Sequence, residues 1–152
     1  MNRALPAMAV LAALGATAPA LAQSPSCQPM GGTAIFEAVP GTGGFMVAMS
    51  GDFEGGVFAR VIGEPRQLGN GRTGYDLEHF FARADGSTIS TKDESVWVTV
   101  PGDDRVLAAT TYRVQRATGS LQGSTGEFRS WGSINAKTGQ GVLRFSGEIC
   151  RR

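Results

Sequence analysis

The chain has one histidine, His79, only two cysteines, Cys27 and Cys150, and no excess of either charge, with 14 Lys+Arg against 13 Asp+Glu. Each shortage excludes a class of function. A zinc site needs several converging nitrogen, sulfur or oxygen ligands. One histidine and two cysteines expected to bridge do not supply them, so neither metal nor cofactor is expected. A serine triad would have to recruit the single histidine, and no G-x-S-x-G elbow occurs. Asp103-Asp104 and the pair Asp52 and Glu54 lack the alternating oxygen donors of a calcium loop and read as turn residues. Charges are mixed along the chain, whereas binding driven by phosphate neutralisation needs a basic surface, so no nucleic-acid partner is expected.

Long apolar runs are absent with one exception. The opening MNRALPAMAVLAALGATAPALAQ has Arg3 near its start, a small-apolar run, and Ala20-Leu21-Ala22 as an A-x-A cleavage pattern. These features predict a signal peptide over residues 1–22 and a periplasmic or secreted mature chain. The run is too short, and too interrupted by Pro6 and Pro19, to favour a permanent span, so no membrane span is expected in the mature chain. Ser24-Pro25-Ser26 before Cys27 does not form a lipoprotein site. Removing Arg3 leaves basic and acidic residues equal in number.

The roughly 130 residues that remain fit one domain with its own core. Export places the two cysteines in a disulfide-permissive compartment, and Cys27 is predicted to pair with Cys150. In the chain-entropy account a bridge closing so long a loop is worth about 4–5 kcal/mol, and it requires the two ends to meet.

What the mature chain does have is glycine and short runs of β-formers. Residues 23–32 read as an extended lead-in and 33–152 as the folded domain. Candidate strands are 33–39, 45–50, 56–62, 74–83, 87–90, 95–100, 105–116, 127–136 and 141–149. No helical period competes with them. The intervening PGTGG, GEPRQLGNG, ADG, PGDD and KTGQ are turn-formers, and the spacing predicts an all-β antiparallel barrel or sandwich. Asp85-Gly86 is suited to a tight hairpin, and residues 137–140 to a turn joining the last two strands.

Alternation assigns faces. Phe128, Ser130, Gly132 and Ile134 share one side of their strand, as do Leu143, Phe145, Gly147 and Ile149 of the next, and these are taken as inward. Glycine within such strands lets a closed barrel bend or lets backbones approach. Tyr75, Leu77, His79 and Phe81 share another face.

The stretch ATGSLQGSTGEF, followed by a strand, a glycine turn and a closing strand ending in GEIC, resembles the C-terminal part of bacterial secreted proteins with an allene-oxide-cyclase-like barrel. Dirigent proteins and plant allene oxide cyclases carry a related pattern, matched here at Thr118, Gly119, Leu121, Gly123 and Gly126. The resemblance covers about residues 73–150. It implies a single closed antiparallel, calycin-like barrel of about eight strands, with a lumen suited to a small apolar ligand. None of the cyclases' catalytic residues can be matched onto this chain, so none is transferred.

The expected function is therefore lumenal binding of a small apolar molecule, with Tyr75, His79, Phe81 and Tyr112 as candidate ligand-binding residues. Catalytic residues are not identified. A cyclase or isomerase using the lumen as a shaped cavity is the first alternative, in which Tyr75 and His79 would orient a ligand or move a proton. A non-catalytic surface interaction protein is the second. For His79 a plain hydrogen-bonded position at a strand edge is weighed against catalysis. Trp97 reads as a core residue at a barrel end. Trp131 reads as an exposed contact, with stacking of Arg129 on its ring as the alternative. Charged outward faces and short strands argue against an outer-membrane barrel. Nothing in the sequence sets an oligomeric state.

Overall fold

The computed structural model describes residues 26–151. The signal-peptide reading, residues 1–22, lies outside the described residues. Eight strands follow one another: β1 (Ser26–Val39), β2 (Gly44–Gly51), β3 (Gly55–Gly69), β4 (Arg72–Arg83), β5 (Thr88–Thr99), β6 (Arg105–Ala117), β7 (Ser124–Asn135) and β8 (Gln140–Arg151). Each pairs antiparallel with the next, and β1 returns to β8, so the sheet closes on itself. Closure leaves no free strand edge. Among the described residues no helix is long and apolar enough to cross a membrane.

The seam between β1 and β8 is held by the predicted bridge. Cys27 lies directly opposite Cys150 in the ladder, and the two form a disulfide across 123 residues of sequence. Strand β1 begins at Ser26, so residues 26–32, read from sequence as a lead-in, are already part of the barrel wall.

Two segments differ from their sequence reading. The runs 87–90 and 95–100 are one strand, β5, because Lys92-Asp93-Glu94 continues the alternation instead of breaking it. Ile89, Thr91, Asp93 and Ser95 are buried and Lys92 and Glu94 are exposed, so one charge of the triplet turns inward. Similarly, most of GEPRQLGNG belongs to β3. The register shifts between Ile62 and Arg66 and again between Gln67 and Gly69, and Pro65, which has no N–H to donate, sits inside the first irregularity. Only Asn70 and Gly71 form the turn.

The glycine rhythm of the closing strands is a packing requirement. A Cβ on Gly147 would lie 2.6 Å from Phe128 Cα, and one on Gly132 would lie 2.1 Å from the Val142 carbonyl oxygen. Both glycines let β7 and β8 close on each other. Between β6 and β7 the chain makes a single 3-10 turn, Gly119–Leu121, that drops Leu121 into the barrel end at 4 % exposure.

Leu77, His79 and Phe81 of β4 are buried, and so are Phe128, Ser130 and Ile134 of β7 and Leu143, Phe145 and Ile149 of β8, as expected; of the glycines read onto the same faces, Gly132 is half-buried and Gly147 is exposed. An eight-stranded barrel is just wide enough for such side chains to fill. Phe53, between β2 and β3, and Leu121 close the end that holds the disulfide. The opposite end is bordered by a cluster of aromatic rings.

Candidate functional site

Strand register brings the site together. In β4 and β5, His79 lies opposite Thr91 and Leu77 opposite Asp93, which makes Asp93 the diagonal neighbour of His79 on the inner face. Asp93 in turn faces Tyr112 of β6, and Tyr112 faces Phe128 of β7.

Asp93 is the most enclosed charged group in the barrel, its side chain 0 % exposed and that of His79 only 9 %. A buried carboxylate is tolerated only when its oxygens are satisfied. Here Oδ2 is 2.6 Å from His79 Nδ1 and accepts from the Thr91 hydroxyl at 2.8 Å, while Oδ1 accepts from the Arg113 backbone N–H at 3.3 Å. With the carboxylate as acceptor, Nδ1 is the donor, and this fixes both the orientation of the imidazole and its tautomer.

The ring of His79 packs edge-on to Tyr112, centroids 4.9 Å apart, and stacks on Phe81 at 5.8 Å. Tyr112 is held flat against Phe128 at 4.6 Å, and its hydroxyl bonds Ser130 Oγ at 2.7 Å. Burial pushes the Tyr112 phenol up to about 12. The hydrogen bond with Ser130 opposes this shift, and the Asp93 charge adds to it. A second polar chain runs alongside, from Trp97 Nε1 to Ser95 Oγ at 2.9 Å and from Ser95 Oγ to Thr110 Oγ1 at 2.8 Å.

Above these groups lie Phe36, Phe45, Tyr75 and Trp97, linked by centroid distances of 4.8 Å from Phe36 to Phe45, 5.8 Å from Phe45 to Trp97 and 4.9 Å from Tyr75 to Trp97. Phe45, Tyr75 and Trp97 are only half-buried, so this end is the mouth of the lumen. The cavity beneath is lined by His79, Phe81, Tyr112, Thr110, Ser130 and apolar side chains and has a volume of about 30 Å³. That is room for one or two waters.

Of the four sequence candidates, His79, Phe81 and Tyr112 line one cavity, while Tyr75 stands at the mouth against Trp97. Asp93, Ser95, Thr110 and Ser130 join them without being candidates on sequence alone. The period of two along β5 is the signal that finds Asp93, since it shares a face with Trp97. On the outer wall Trp131 is 48 % exposed, as expected, and Arg129 bonds Glu127 at 3.2 Å instead of stacking on that ring.

No family model, curated protein or solved structure matches the chain.

Proposed function

We propose that the chain is an exported barrel of the allene-oxide-cyclase-like type that binds a small, largely apolar molecule in its lumen without transforming it. The observation that carries this reading is the composition of the cavity: an apolar wall, four polar side chains converging from β4, β6 and β7, and half-buried aromatic rings at one end. That combination is characteristic of small-molecule sites. Such sites usually have about 300 Å³ or more, whereas this lumen holds about 30 Å³, so binding requires the rings of Phe45 and Trp97 to turn aside and the side chains beneath them to repack. The disulfide at the seam supports residence outside the reducing cytoplasm. Ion pairs on the outer wall, Arg60 with Glu78 and Arg113 with Glu94, are poorly suited to contact with lipid.

Native mass spectrometry of the oxidised protein purified from its own host tests the reading. The expected result is a reproducible extra mass that leaves on denaturation. A bare protein mass, with no uptake of apolar compounds extracted from the same cells, contradicts it.

The His79–Asp93 pair favours a second reading, an isomerase or cyclase working in the same lumen. Returning the released molecule to fresh protein separates the two: recovery unchanged supports binding, and conversion supports catalysis.

A further inference from the structure

Lumenal binding leaves unsettled which chemistry the polar groups select, and here His79 is decisive. Its Nδ1 is committed to Asp93, so in the neutral ring Nε2 carries the lone pair and accepts hydrogen bonds. Nε2 has no partner among the described residues, yet it is not sealed off. Among the described residues the one fully enclosed side-chain polar atom without a partner is Ser124 Oγ, at the start of β7. His79 lines the cavity together with Thr110, Tyr112 and Ser130, and among these polar groups its Nε2 is the one without a protein partner. The remaining hydroxyls are already engaged with each other: Tyr112 with Ser130, and Ser95 with Thr110.

We propose that the lumen selects apolar molecules carrying a single O–H group, which donates to His79 Nε2, and that Asp93 is the positioning residue that sets this preference by holding the ring with Nδ1 protonated. The inference rests on the lumenal binding reading. It sorts ligands by chemical class: an alcohol or an undissociated acid satisfies Nε2, whereas a hydrocarbon of the same shape leaves it unpaired and desolvated. A water at Nε2 would have to be displaced, and only a group that replaces its hydrogen bond does so without loss.

The single histidine makes the test direct, because ¹⁵N-histidine labelling yields one pair of ring-nitrogen signals. The full mature chain is titrated with benzyl alcohol and with ethylbenzene, which differ by OH in place of CH₃. In the wild type, Nδ1 is expected to show the protonated signature and Nε2 the acceptor signature, with benzyl alcohol moving Nε2 and ethylbenzene not. Asp93→Asn can offer its amide N–H to Nδ1, which reverses the tautomer. Benzyl alcohol both donates and accepts and so satisfies either tautomer; the variant is therefore read with benzaldehyde, which only accepts, and which is expected to bind about tenfold more tightly to Asp93→Asn than to the wild type, the value of one hydrogen bond, while ethylbenzene binding changes by less than about twofold.

An Nε2 signal unmoved by bound benzyl alcohol overturns the proposal, as does an equal effect of Asp93→Asn on benzaldehyde and ethylbenzene. If that variant does not fold, the wild-type Nε2 response alone decides. Failure of both probes to perturb lumen amides such as that of Tyr112 contradicts the lumenal reading itself, and this inference falls with it.

Discussion

Asp93 and His79 meet across β4 and β5 at 2.6 Å, and neither side chain is more than 9 % exposed. The pair is the only buried contact between an acidic side chain and a basic one among the described residues; the other such pairs lie on the exposed outer wall. This distinction sets how much each is worth, since exposed pairs contribute little while a broken buried pair leaves an uncompensated group behind.

Removing Asp93 therefore has a large effect. Asp93→Ala strands the His79 Nδ1, the Thr91 hydroxyl and the Arg113 N–H, and is expected to cost about 3–5 kcal/mol. Asp93→Asn, which keeps the shape and most of the hydrogen bonding, is expected to cost about half as much or less. Urea denaturation monitored by Trp fluorescence checks this, and a loss for Asp93→Ala below about 1 kcal/mol would mean that the network does not hold the barrel.

Much of this architecture is legible in the sequence, and the exceptions have physical causes. The alternation of Tyr75, Leu77, His79 and Phe81, and of Phe128, Ser130 and Ile134, gives the inward faces because large and polar residues change places at a strict period of two. Asp93 escapes the same logic. A charge between Lys92 and Glu94 looks like a solvated loop until its partners are known, and those partners lie 2, 14 and 20 residues away. The length of β3 escapes because Gly63, Glu64 and Pro65 have turn chemistry, which the bulge uses without ending the strand.

The tyrosine beside the pair predicts a pH dependence. The Tyr112 phenol is held up to about 12, whereas in the unfolded chain it titrates near the ordinary value of about 10. The folded state thus keeps a proton that the unfolded state has lost. Stability from this source is fully present below pH ~10 and is lost as the pH rises from ~10 to ~12. Wild type should lose on the order of 2–3 kcal/mol more than Tyr112→Phe across that interval. Parallel stability–pH curves for the two proteins would contradict the assignment.

Glycine at 147 is predicted to be indispensable, because Gly147→Ala drives a Cβ to within 2.6 Å of Phe128 Cα, a contact with backbone that cannot yield cheaply. The expected cost is about 2 kcal/mol or more. Gly56→Ala serves as the control, since its Cβ would meet open space, and should stay within about 0.5 kcal/mol of wild type. Thermal melts of the two variants decide, and equal melting temperatures would refute the close-approach argument.

The lumen, closed at one end by Phe53 and Leu121 and bordered at the other by Phe45, Tyr75 and Trp97, is proposed to admit a small apolar molecule. The outer wall offers a rival, an open groove of about 600 Å³ lined by Val96, Val98, Leu107, Trp131, Val142 and Arg144. The most direct measurement is a crystal structure of the mature protein soaked with ethylbenzene. The account predicts density for the probe between His79 and Trp97, with the mouth rings turned aside. Density confined to the groove around Trp131, with the lumen rings unmoved, would contradict it.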